Sequence, residues 1–184
     1  DQIGLPMGKD NKTAGEAATA DGLVSFYEYS QADRNRIVKL TAPMFIVTAS
    51  QTNLLLAEAR VRGWITTGNA ADYFAEGIRA HMNQMALVDA TCAVDPAARD
   101  AYIAANPLVS GKEMEQINTQ YWISSFLNGQ EAFANFRRSN FPALAPNPYP
   151  GRAVEWINRL TYPNSEISVN TENVNEAIKR QGPD

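Results

Sequence analysis

The sequence contains a single cysteine, Cys92, and a single histidine, His81, in 184 residues. One thiol permits no intrachain disulfide, and with no second Cys or His at ligand spacing neither residue marks a metal site. Hydrolytic triads require a His beside a nucleophile. His81 instead falls on the inner stripe of a predicted helix, where a satisfied core imidazole is expected. Apolar runs such as residues 44–47 are far too short to cross a bilayer. An excess of positive charge is also missing: 16 Lys and Arg face 20 Asp and Glu, a net charge of −4, so there is no electrostatic footprint for nucleic acid. The basic pairs Arg60 and Arg62, Arg137 and Arg138, and Lys179 and Arg180 read as solvated faces or structural ion pairs. Gly63 and Gly68 flank a turn without the spacing of a phosphate-cradling loop. A glycosidase needs two opposed carboxylates, but Glu113 and Glu115 are better read as a helix cap and a solvated face. No catalytic residue, metal or cofactor is implied. The chain starts at Asp1 with neither an initiator Met nor a signal peptide, which reads as a processed or cut start.

What is present suits a soluble globular fold: 45% hydrophobic and 20% charged residues, in a chain long enough to bury a core. Residues 1–43 lack helical periodicity and read as connecting loop with a few extended pieces, draped over something else. Helices begin after Thr48. Thr48 and Gln51 make a capping box, Ala49, Thr52, Leu55, Leu56 and Ala59 recur on one face, and Glu58 and Arg62 pair on the opposite one. Gly63 ends this helix. Asn69 caps the next, with Asp72 in its first turn and a stripe of Phe74, Gly77, Ile78, His81 or Met82, and Met85. The spacing predicts helices at about 49–63 and 69–86 packed as an antiparallel hairpin. Leu55, Leu56, Ala59, Phe74 and Ile78 should be mutually buried, and Ala59 and Gly77 should allow close backbone approach. An Ala-rich helix lies between Asp95-Pro96 and Asn106-Pro107. A fourth starts at a capping box, Ser110 to Glu113, carries Met114, Ile117, Tyr121, Trp122 and Phe126, and ends at Asn128-Gly129. A short helix follows to Arg138. Residues 140–170 are rich in Pro and Asn and read as loop before a last helix near 171–180. The fold class is all-α, with helical hairpins and long irregular loops.

The hairpin at 49–86 resembles one tetratricopeptide unit, helix, Gly turn, helix, and one such unit needs neighbours to bury its second face. Several segments extend the resemblance over nearly the whole chain. They are residues 3–8 (IGLPMG), 54–64 (LLLAEARVRGW), 73–82 (YFAEGIRAHM), 120–138 (QYWISSFLNGQEAFANFRR), and 159–164 (RLTYPN) with Glu166, Asn170 and Asn173. In this order they resemble the SusD/RagB family, in its SusD-like lipoprotein branch. The resemblance implies the C-terminal part of a single SusD-like domain. Within it, residues 1–48 are connector loops, 49–86 the tetratricopeptide-like hairpin, 95–138 further helices and 139–184 a loop-rich C-terminal segment.

It also implies a non-catalytic surface lipoprotein of the outer membrane of Bacteroidetes-type bacteria, held only by a lipid anchor on an N-terminus absent from this sequence. Such a protein captures a glycan or other nutrient and delivers it to a SusC-like TonB-dependent transporter. The other reading is a tetratricopeptide-like scaffold that binds only a protein partner. An incomplete unit of this kind is expected to be marginally stable or sticky alone, because an uncovered apolar face exceeds what soluble monomers tolerate.

Aromatic side chains are the ligand-facing candidates, since a flat ring with a polar edge suits the apolar face of a sugar. Trp64 follows the helix-ending Gly63 and either caps the hairpin core or faces outward. Tyr149 and Trp156 lie in or beside the Pro-rich segment, where loops commonly carry function. Tyr121 and Trp122 are expected in the core. Arg137 and Arg138 either clamp an acidic ligand or, as is favoured, pair with a buried structural acid such as Glu58 or Glu166.

Overall fold

The computed structural model describes residues 2–148 and 160–182. Among these residues there are eight α-helices: α1 (Thr13–Ala20), α2 (Ala49–Val61), α3 (Ala70–Val88), α4 (Pro96–Ala105), α5 (Glu113–Ser124), α6 (Gly129–Ser139), α7 (Asn164–Val169) and α8 (Thr171–Gln181). There is no strand among them, so the all-α class holds. The chain divides into two compact units, one formed by residues 31–144 and the other by residues 1–30 with 145–184.

The larger unit is built on the hairpin. Thr48 Oγ1 accepts from the Gln51 amide at 3.1 Å while Gln51 Oε1 accepts from the Thr48 amide at 3.0 Å, completing the capping box that starts α2. At the other end Gly63 adopts φ +73°, which only glycine takes without strain. Gly63 N then donates to Arg60 O and Trp64 N to Ala59 O, the paired closure of a Schellman motif. Asn69 Oδ1 accepts from Ala71 N to start α3. α2 and α3 pack so closely that a Cβ on Gly77 would lie 2.7 Å from Leu54 Cγ.

The core is formed by Leu54 and Ala57 from α2, Phe74 and Ile78 from α3, and Ile117 and Tyr121 from α5. This corrects the expected face of α2. Leu54 is 1% exposed and Leu55 44%, while Leu56 and Ala59 are half-buried. The inner stripe is thus Leu54, Ala57 and Glu58, about one residue out of register with the expected one. Ala57, fully buried, takes the role expected of Ala59. The register differs because Glu58 goes inward. It does pair with Arg62, as the i,i+4 spacing predicts, but from the buried face.

Four more readings are corrected. α5 starts at Glu113 without a side-chain cap on the expected pattern; Glu113 Oε2 accepts from Gly111 N, and Gln116 Oε1 accepts from Val109 N. It ends at Ser124, four residues early, because Asn128 instead caps α6, its Oδ1 accepting from Glu131 N. Trp122 is 39% exposed rather than in the core, although Tyr121 is buried as expected. In the segment read as loop, residues 164–169 form α7.

The unit formed by 1–30 and 145–184 corrects the reading of 1–48 as connector loops alone. Asp10 Oδ1 accepts from the amides of Lys12 and Thr13 and starts α1, whose Ala14, Ala17 and Ala18 are buried. A 3-10 turn (Phe26–Glu28) follows, and Tyr29 OH donates to Asp21 Oδ2 at 2.6 Å. Burial, with that carboxylate beside it, pushes the Tyr29 hydroxyl up to about 12. In the same unit Val174 is the buried residue of α8.

Candidate functional site

Two features of the 31–144 unit offer ligand-facing chemistry. The first begins with a buried charge. Glu58 is 1% exposed, and Arg138 binds both its oxygens, with Nη2 to Oε2 at 2.8 Å. Arg138 Nη2 also donates to Asn118 Oδ1 at 2.9 Å and Asn135 Oδ1 at 2.8 Å, and Asn135 Nδ2 donates to Asn118 O. Burial alone would raise the Glu58 carboxyl, but the two arginines outweigh it and hold the group below its ordinary range. Arg138 therefore pairs with a structural acid, as favoured from the sequence, and joins α2, α5 and α6.

This network reaches the surface through Arg62. Its Nε donates to Glu58 Oε1 at 2.8 Å, and its guanidinium carbon lies 5.1 Å from the centre of the Trp64 ring, a cation–π arrangement. Of the two positions open to Trp64, the structure shows the outward one: it is 71% exposed, at the residue after the αL glycine. A groove of about 390 Å³ runs beside it, lined by Leu55, Leu56, Ala59 and Arg138 among others. Chemically this is a flat apolar ring oriented by a fixed cation. Tyr149 and Trp156, the other two candidates, lie outside the described residues.

The second feature had no counterpart among the sequence candidates. Residues 37–48, the C-terminal half of α3 and the turn between α5 and α6 enclose a pocket of about 490 Å³. His81 lines it. The imidazole is half-buried, and its Nδ1 is buried with no hydrogen-bond partner among the described residues, so the expected satisfied core histidine is corrected. Burial pushes its pKa down, leaving the ring neutral at neutral pH. Beside it, Glu131 Oε2 accepts from Tyr121 OH at 3.0 Å, and burial together with this bond raises the Tyr121 hydroxyl to about 12. The one sequence signal for this pocket was the non-periodic apolar stretch 44–47. Among the described residues no cluster of His, Cys, Asp and Glu could hold a metal ion, and no helix is long and apolar enough to cross a membrane.

The sequence and fold were compared with those of known proteins. The family described as "Starch-binding associating with outer membrane", of SusD-like type, matches residues 5–163. Among curated proteins none matches. A solved chitin-binding protein is 40% identical with a TM-score of 0.68, over 77% of this chain and 32% of its own. A SusD-like protein from Bacteroidetes is 36% identical with a TM-score of 0.63, over 73% of this chain and 27% of its own. A SusD homologue from Bacteroides fragilis NCTC 9343 is 30% identical with a TM-score of 0.56, over 72% of this chain and 31% of its own. The chain thus spans about a third of the length of these structures. With a family match over most of its residues, the chain belongs to the SusD-like family of starch-binding proteins associated with the outer membrane.

Proposed function

We propose that this chain is part of a non-catalytic glycan-binding protein of the bacterial outer-membrane surface, one that captures oligosaccharide and delivers it to a SusC-like TonB-dependent transporter. The observation that carries the reading to this chain's own residues is the outward Trp64 ring held by Arg62. An exposed indole offers the face on which the C–H side of a sugar stacks. The family match supports the ligand class, and the 40% identical chitin-binding protein suggests β-linked amino-sugar oligomers as a first probe beside starch. Calorimetric titration of the purified chain with maltoheptaose and chitin oligosaccharides tests it. Saturable heat that weakens on Trp64→Ala is expected. No heat with any glycan, from a chain that melts cooperatively, would remove the reading.

A scaffold that binds only a protein partner is the second reading, favoured by one observation. Leu40, Met44, Ile46 and Val47 expose most of their apolar surface along one segment. Capture of a TonB-dependent transporter by a chain that binds no glycan would decide for it.

A further inference from the structure

The pocket around His81 is of the size that holds a small ligand or one substituent of a larger one. Its lining sorts candidate ligands by charge. No lysine or arginine lines it, while Glu131 does, so an anionic group meets only a carboxylate and a neutral imidazole. The remaining polar lining includes the side-chain amides of Gln84 and Gln130, which bond to no other protein group among the described residues, and Asn128, whose oxygen alone is engaged. Apolar lining comes from Ile37, Ile46, Met85 and Val88.

A ligand that suits these walls is uncharged, carries a donor and an acceptor close together, and ends in a small apolar cap. The donor–acceptor pair matters because His81 Nδ1 is buried and unpartnered. Whichever tautomer the ring adopts, that nitrogen needs either a proton donor or an acceptor from the ligand. A plain sugar hydroxyl supplies both but leaves the apolar lining uncovered. An acetamido group supplies N–H, C=O and a methyl in one rigid plane.

We propose that this pocket is the subsite for the acetamido group of an N-acetylated sugar, with the amide against His81 and Gln84 and the methyl against the apolar lining. The inference rests on the glycan-binding reading above and adds a substrate class and a location to it.

His81 is the sole histidine, so its ring Cε1–H resonance is an unambiguous probe. The full chain is titrated with triacetylchitotriose and, separately, with cellotriose, which shares the β-1,4 backbone but carries a hydroxyl in place of each acetamido group. Heat and the His81 resonance are recorded together. Triacetylchitotriose should bind about tenfold or more tightly than cellotriose, the effect of one buried hydrogen-bonding group left unmatched. It should shift the His81 resonance, and cellotriose should not. His81→Phe and, separately, Gln84→Leu should erase most of the difference between the two sugars while leaving cellotriose affinity unchanged.

Equal affinity for the two sugars, or triacetylchitotriose binding that leaves the His81 resonance unmoved, would overturn the subsite and leave the glycan reading standing. Absence of binding by every glycan, maltoheptaose included, would remove both. The resonance of the unsubstituted chain decides the matter even if a variant fails to fold.

Discussion

The junction of α2, α3 and α5 and the segment of residues 31–47 belong to one compact unit but are held in opposite ways. At the junction every demand is met twice. Leu54, Phe74 and Ile117 fill the interior, and the one buried charge, Glu58, is bound by two arginines. The segment instead is tied by a local turn at Asp33 and by Lys39 Nζ to Asp89 Oδ2 at 2.7 Å, while Leu40, Met44, Ile46 and Val47 stay exposed. Lys39 and Thr91 hold the Asp89 carboxyl far below its ordinary range. The difference separates two kinds of apolar residue: those consumed in stabilising the unit, and those left over to face a ligand or partner.

The largest effect should come from the buried charge. Arg138→Ala leaves Glu58 in the interior with Arg62 alone and is expected to cost about 3–5 kcal/mol, the range for removing one partner of a buried pair. Glu58→Ala should cost less, roughly 2 kcal/mol, because the half-exposed Arg138 can turn to water. Urea unfolding measures both, and the reverse order would mean that the network is not organised around the carboxylate. The same pair sets a pH dependence. Because Glu58 is held below its ordinary value of 4.5, its contribution is present above that pH and is lost as pH falls through the folded value. His81, lowered from 6.5, adds a loss that begins below pH 6.5. Melting temperature followed from pH 7 to pH 3 should therefore fall in two steps.

The register of α2 is tested next. Leu54→Ala should cost about 2–5 kcal/mol and Leu55→Ala less than about 1 kcal/mol, since only the first opens a cavity. Equal losses would contradict the assigned face.

The smallest effect concerns the segment. Lys39→Ala should cost about 1 kcal/mol or less globally, as for a partly exposed ion pair. Amide exchange in residues 37–47 should quicken while that in α2 and α3 stays slow. Uniform acceleration would show that the two regions unfold as one.

Elements whose start is set by neighbouring residues were legible from the sequence. Thr48 with Gln51, Asn69, and Asp95 before Pro96 each bond within a few residues of themselves, so composition carries the signal. The face of α2 was not legible. Three consecutive leucines satisfy more than one register, and what selects among them is Glu58 meeting an arginine 80 residues away. α1 was hidden because its stripe is alanine and its cap, Asp10, stands in a run of polar residues. Trp64 was identified as a residue, and only the geometry of the glycine turn decided its direction. The pocket was invisible for a further reason: its walls come from three stretches with no shared pattern, and the unpartnered nitrogen of His81 is a property of their assembly.

The bond between residues 58 and 138 also bears on how this chain acquires its shape when delivered N-terminus first. The hairpin can close as soon as residue 88 is available, but at that stage its acidic group faces the interior with Arg62 as its only counter-ion. Any early closure is therefore reversible, and the interface keeps reopening to water. The arrival of α6 ends this, because a single guanidinium then bridges three helices at once. Commitment thus comes late and from the far end, which keeps the intermediate pliable during delivery and makes a chain shortened before residue 138 unable to settle.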